Sequence, residues 1–367
     1  MTMYSHGEFI PFRDYMQTCL YHPEFGYYMK PQQKLGKTGD FYTSVSLGNL
    51  MAGCMLAHMR RMIDQYADGD VQIELVEWGG GEGKLAADML DDLQLQDPAL
   101  YARTRFVSIE YSPHHRKVQQ NALQAHLNKT SWMTASAWTK EAEQDPGRFR
   151  ILYANECLDA FPVHRVVYEQ DGWKEIHVRQ REDESWEEAR MPLSREELHG
   201  YLQHAVIDRG IIPAPGQQLE VHLDGLKALD ELVKPLANGM VLLIDYGDVA
   251  EELYSEHRMN GTFMCYKDHV AFDDPYRYPG TCDMTAHVNF SSCLDVLNHA
   301  GFQTAELQTQ KAYLVENGLL EQLSEHQHTD PFHPDAKRNR AIRQLLWSDQ
   351  MSELFKVLTA IRQPASS

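Results

Sequence analysis

Val71-Gln-Ile-Glu-Leu-Val-Glu77-Trp-Gly79-Gly-Gly81-Glu-Gly83 is the stretch whose reading decides the fold. Residues 71–77 read as a strand, and the strand runs straight into a glycine loop. Leu85, Met89, Leu90 and Leu93 then recur at helical spacing, so the loop joins a strand to a helix. Two nucleotide chemistries call for glycines in that setting. A dinucleotide site needs G-x-G-x-x-G, whose third glycine lets helix and strand pack closely. Counted from Gly79 that third position is Lys84, and starting from Gly80 or Gly81 does no better. The alternative, an acid followed by G-x-G-x-G, is met at every position by Glu77, Gly79, Gly81 and Gly83. Glycines so placed let a backbone approach a ligand where a Cβ would collide.

The surrounding chain repeats this alternation. Arg105 to Glu110 reads as a second strand, and Pro113 to Leu127 as a helix capped by Ser112. Arg150 to Ala154 and Met240 to Ile244 are further buried-strand candidates. Strand, glycine turn, helix, strand, helix is the pattern of an α/β protein with a parallel sheet and crossover helices. Glu110 closes the second strand 33 residues after Glu77. An acid there can accept both hydroxyls of a ribose, each charge-assisted bond contributing about 1.5–3 kcal/mol.

Other segments read as additions to this core. Residues 1–70 form an N-terminal cap region with a helix-like run from Leu47 to Ile63. Arg165 to Val178 alternates apolar and polar residues about an Asp171-Gly172 turn, a hairpin signal within an α+β insertion at about 163–225. From Glu169 to Glu188 there are eight acids and three bases, which marks a solvated face. Apolar residues at helical spacing from Ala341 to Ile361 predict an amphipathic final helix, in a helical tail spanning 316–367 after a core at 71–315.

Composition excludes several classes. The 367 residues suit about two domains, or one enlarged by insertions, at ~150 residues each. The balance of 34 basic against 53 acidic residues gives −19, which argues against sequence-independent binding to nucleic acid. No apolar run approaches the ~20 residues of a membrane helix, and the first residues show no secretory pattern. Six cysteines without close pairing suggest reduced thiols, and the expected setting is cytoplasmic. His326, His328 and His333 lack companions at metal-ligand spacing, so no metal site is expected.

Several unusual strings occur in a distinctive order. They are Leu20-Tyr-His-Pro-Glu-Phe-Gly-Tyr-Tyr28, Gly39-Asp-Phe-Tyr-Thr-Ser44, Glu77 to Gly83, Glu110-Tyr-Ser-Pro113, Asn155-Glu-Cys-Leu-Asp-Ala-Phe-Pro162, Asp245-Tyr-Gly247, Gly261-Thr262 and Asp283 to Phe290. Together they resemble the MidA-like family of S-adenosylmethionine (SAM) dependent methyltransferases, whose relatives include a mitochondrial complex I assembly factor. The resemblance implies a class I, Rossmann-like SAM-methyltransferase sheet and SAM as cofactor. It implies a protein substrate methylated on arginine, and a respiratory-complex subunit as a possible partner. A guanidinium is always protonated and presents only donors, so it needs carboxylates to orient it and to take a proton. Asn155 could bond polar atoms of SAM, with Glu156 and Asp159 as guanidinium clamps. Asp283 and His287 form a second pair, on one face if their segment is helical. Asp40, Thr43 and Ser44 read as a lid meeting the cofactor, or alternatively as a turn and helix cap. A SAM-binding assembly factor without turnover and a small-molecule methyltransferase are the competing readings.

Overall fold

The strand expected at 71–77 forms over Ile73–Trp78 (β1), and all six of its residues are buried. Burial on both faces is what a central parallel strand requires, because crossover helices cover each side. In the computed structural model, which describes residues 7–30, 49–67, 69–324, 333–347 and 353–363, seven further strands join it, one of them the short Val288–Asn289 beside the end of Gly239–Asp248 and the other six in one continuous path. Those six are Thr104–Ile109 (β2), Thr130–Met133 (β3), Phe149–Asn155 (β4), Gly239–Asp248 (β5), Thr304–Thr309 (β6) and Phe355–Arg362 (β7). Their order is β3-β2-β1-β4-β5-β7-β6. Pairings of β1 with β2 and β4, β2 with β3, and β4 with β5 are parallel, whereas β6 and β7 pair antiparallel. Chain order reverses between β1 and β4, the topological switch point at which such sheets bind ligands.

The chain divides into two compact units. One comprises residues 42–157, 231–245 and 297–367 and contains this sheet up to Asp245. Lys84–Gln96 (α1) follows the glycine loop and buries Leu85, Met89, Leu90 and Leu93, the residues whose spacing predicted it. Pro113–Ala122 (α2) starts where expected, with the Ser112 hydroxyl accepting from the His115 N–H at 3.3 Å. The C-terminal expectation needs correction. A helix forms over Pro334–Trp347, but residues 355–362 are strand β7, inserted between β5 and β6. Val357, Leu358 and Ala360 are all buried, and an apolar run buried on both faces fits a central strand as well as a helix.

The other unit comprises residues 1–41, 158–230 and 246–296. The expected hairpin forms, with His164–Glu169 and Gly172–Gln180 in antiparallel register from Glu169 opposite Gly172. Trp186–Met191, Gln218–Val221 and the N-terminal Ile10–Pro11 complete a five-stranded sheet. Helix Phe12–Tyr21 buries Phe12, Tyr15, Met16, Cys19 and Leu20 in a cluster with Val163, just before that sheet's strand at His164, and with Val167, Ile176 and Val178 within the sheet. A three-stranded sheet of Met264–Lys267, Val270–Phe272 and Asp283–Thr285 adds to the same cluster.

Beneath the main sheet, Glu74 of β1 is fully buried and lies directly across from Arg150 of β4. Its carboxylate accepts from Arg150 Nε at 3.2 Å and Trp138 Nε1 at 2.8 Å, and it ion-pairs with Arg105. Arg150 is itself fully buried, and Glu74 compensates its charge. Replacing Glu74 with Ala strands a buried guanidinium, for which a loss of about 3–5 kcal/mol is expected in urea unfolding. Retention of stability within 1 kcal/mol or so would contradict that assignment.

Candidate functional site

The glycine loop leaves β1 at the switch point. Gly79, Gly81 and Gly83 have φ of +74°, +52° and +77°, the left-handed region that disfavours side chains. A Cβ on Gly79 would lie 2.5 Å from Cys157 Sγ, beyond the end of β4, and the Gly79 N–H donates to Ile109 O of β2 at 3.0 Å. Gly80 belongs to this cradle too, because a Cβ there would meet the carboxylate of Glu77.

Glu77 is buried at the end of β1, opposite Tyr153 of β4. Burial, and then the charge of Glu110, push its carboxyl up to about 8, with the nearby Tyr153 hydroxyl pulling the other way. Glu77 Oε2 has no hydrogen-bond partner among the described residues, and neither has Asn155 Oδ1 at the end of β4. Two buried acceptors beside a backbone cradle are incomplete as they stand, since orphaned polar atoms cost free energy.

Glu110 directly follows β2. Its Oε1 accepts from the Ser112 N–H at 2.8 Å, and its Oε2 lies 3.5 Å from Gln119 Nε2 and 3.7 Å from His115 Nδ1. Gln119, fully buried on α2, also donates to Gly81 O at 3.0 Å. Gln119 was not singled out from sequence. A glutamine amid a polar helical run carries no local signal of the four groups it meets.

At the end of β4, Asn155 Nδ2 donates to Glu156 Oε1 at 3.2 Å. Glu156 has φ of +52°, a conformation that costs a non-glycine residue energy and persists only where neighbours enforce it. Here the Glu156 N–H donates to Ile244 O at 2.8 Å, and the Cys157 N–H donates to Asp245 Oδ2 at 3.1 Å. Asp245, buried on β5, therefore holds the hook that carries Asn155 and Glu156. Its Asp-Tyr-Gly string contributed to the resemblance above without a role being assigned to it.

Asp159 and His287 belong to the other unit. Asp159 is buried, and its carbonyl accepts from the Ala286 N–H at 3.1 Å. The His287 N–H donates to Thr262 Oγ1 at 3.0 Å, and its ring stacks on Tyr246 with centroids 6.2 Å apart. The helical pairing of Asp283 with His287 does not form. Asp283–Thr285 and Val288–Asn289 are strands, and the helix begins only at Phe290. Cross-strand pairing of Asp283 with Tyr266 sets that geometry, and both Asp283 oxygens accept from the Tyr28 hydroxyl, at 2.8 and 2.7 Å. Asp40, Thr43 and Ser44 lie outside the described residues, as do His326 and His328. His333 Nδ1 lies 3.5 Å from Asp335, and no metal-ligating group occurs among the described residues.

A β3-β2-β1-β4-β5-β7-β6 sheet with a glycine cradle at its switch point and a buried acid at the end of the next strand defines a class I SAM-dependent methyltransferase. SAM offers an ammonium, ribose hydroxyls and an adenine amine, donors that complement the orphaned acceptors and fit the cradle. A family model of S-adenosyl-L-methionine-dependent methyltransferases matches residues 52–310, and the chain belongs to that family, whose cofactor is SAM. It is 28% identical to the mitochondrial protein arginine methyltransferase NDUFAF7 homolog of Drosophila melanogaster, over 77% of this chain and 65% of that one. It is 25% identical to mitochondrial NDUFAF7 of Xenopus tropicalis, over 95% and 82% respectively. The chain thus spans just under two thirds of the length of the Drosophila relative. A COG1565 superfamily member from Burkholderia thailandensis, crystallised with S-adenosyl-homocysteine, superposes with a TM-score of 0.82 at 29% identity, covering 98% of this chain and 89% of that one. The expectation of a cytoplasmic setting is corrected by these comparisons, since the curated relatives are named mitochondrial. Composition and cysteine spacing report a reducing environment at most and do not distinguish compartments.

Two outcomes follow from this geometry. Gly79→Ala places a methyl against Cys157 Sγ at a left-handed φ, and S-adenosylhomocysteine affinity measured by calorimetry should fall at least about tenfold, equivalent to ~1.4 kcal/mol. Glu77, raised from 4.5 to about 8 on folding, holds a proton in the native state that the unfolded chain has released. Its contribution to stability is full below pH 4.5 and is lost as pH rises through about 8. Melting curves from pH 5 to 9 should show wild type losing stability relative to Glu77→Gln, and parallel profiles would refute the shift.

Proposed function

We propose that this protein transfers a methyl group from SAM to an arginine of a protein substrate. The observation that carries this reading is the hook at the end of β4. There a strained Glu156 stands next to the unpartnered Asn155 Oδ1 and one residue before the Cys157 that packs on Gly79. The naming of the relatives as protein arginine methyltransferases supports the choice of acceptor. When bound, SAM supplies an electrophilic methyl on a cationic sulfur. Gly79, Gly81 and Gly83 give it room, Glu77 and Asn155 accept from its donors, and Glu110 accepts from the ribose hydroxyls. Asp40, Thr43 and Ser44 are assigned to cofactor binding on the strength of the resemblance.

The acceptor side follows from the chemistry of arginine. The guanidinium carries a full charge and no acceptor, so a carboxylate must both orient the attacking nitrogen and receive the proton displaced as the new N–C bond forms. Glu156 is assigned this role through its carboxylate oxygens. On the strength of the sequence strings alone, Asp159 is assigned as a second guanidinium partner and His287 as a proton carrier through its imidazole. A respiratory-complex subunit is the acceptor to which the resemblance points.

The test incubates purified protein and tritiated SAM with lysate from cells lacking it, followed by acid hydrolysis and amino-acid chromatography. Label is expected in methylarginine. Glu156→Gln should reduce incorporation at least about 100-fold, the usual scale for losing a general base, while S-adenosylhomocysteine affinity stays within a few-fold. Label in another residue or in a small molecule would overturn the arginine assignment. Tight S-adenosylhomocysteine binding with no label anywhere would favour an assembly factor that holds SAM without turnover.

A further inference from the structure

Gln119 is tied into the structure at both ends of its amide. Its Oε1 accepts from Ser108 Oγ at 2.7 Å and from Trp132 Nε1 at 2.9 Å. An indole nitrogen only donates, so this contact fixes which end of the amide is oxygen. Nε2 must then face the other way, where it donates to Gly81 O at 3.0 Å and lies 3.5 Å from Glu110 Oε2. The stem of the side chain fills the space a Cβ on Gly83 would take, with Cγ 2.8 Å from that point. One fully buried residue on α2 thus touches the strand before Glu110, the carboxylate of Glu110 and two glycines of the loop.

Glu110 is held from two directions. The Ser112 N–H fixes Oε1, and the Gln119 amide stands at Oε2. A carboxylate has about four lone-pair sites, so ribose hydroxyls can be accepted beside these donors once the group is oriented. We infer that Gln119 is a positioning residue that orients Glu110 toward a ribose and locks it to the glycine loop, making the site selective for ribonucleosides. This inference rests on the reading of Glu110 as the ribose acceptor.

Calorimetric titration of the full chain with S-adenosylhomocysteine and with its 2′-deoxy analogue tests it. Wild type should prefer the ribose form by about tenfold or more, the worth of one charge-assisted hydrogen bond. Gln119→Glu keeps an acceptor for Ser108 and Trp132 but removes both donated hydrogens and sets a second carboxyl beside Glu110. Preference should fall below about threefold, with weaker binding of S-adenosylhomocysteine. Gln119→Met, uncharged and of similar length, should move the preference in the same direction and serves if the first variant fails to fold. Equal losses for both ligands with the preference intact would overturn the inference, because they would mean that Gln119 only fills space. Binding by wild type without any preference would instead remove the ribose role of Glu110, and the inference with it.

Discussion

Cys157 Sγ rests against the backbone of Gly79, so close that any side chain at residue 79 would displace it. This contact joins the loop after β1 to the hook after β4, the two strands between which the order of the sheet reverses. The hook is held from below by β5, through the bonds of Ile244 and Asp245 to the Glu156 and Cys157 peptides. A left-handed Glu156 is therefore the consequence of three strand ends meeting within a few ångströms. Strain of this kind survives only where the surroundings over-determine it, and here a buried carboxylate and a missing Cβ do so.

The charge distribution follows the same logic. Glu77 and Glu110 stand near enough for one to raise the proton affinity of the other, and burial adds to the effect. Two carboxyl groups at a dry strand end are costly to the folded chain alone and suited to a cation-bearing partner. A net charge of −19 is in keeping with a cationic cofactor as ligand. Eight of the 53 acids, however, lie between Glu169 and Glu188, where Arg179, Arg181 and Arg190 pair with Glu187 and Glu169 on the surface. Such exposed pairs contribute little energy and mark a solvated face.

Much of the fold could be read from local pattern. β1 with its loop, α1, the Ser112 cap and the hairpin, whose turn falls at Gln170-Asp171 one residue before the expected Asp171-Gly172, each depend on neighbours within a few residues, so propensity and spacing report them directly. The failures share a cause. Residues 355–362 are apolar at intervals that suit either a helix or a buried strand, and only the gap between β5 and β6 selects the strand. Asp283 and His287 have helical spacing, yet pairing with Tyr266 makes the first part of that segment extended.

By itself, the sequence determined the chemistry available at the switch point: an acid, three glycines in a register that excludes a dinucleotide, and a second acid one strand away. These are one-dimensional facts, since each residue acts through its own backbone freedom or its own charge. Tertiary structure alone decided how those groups are held. Gln119 meets Gly81, Glu110, Ser108 and Trp132 from a different helix, Asp245 captures a peptide 88 residues away, and the Glu77 carboxylate folds against Gly80. Hydrogen bonds and steric exclusion act over a few ångströms in space, and the chain brings together in space what it keeps apart in sequence.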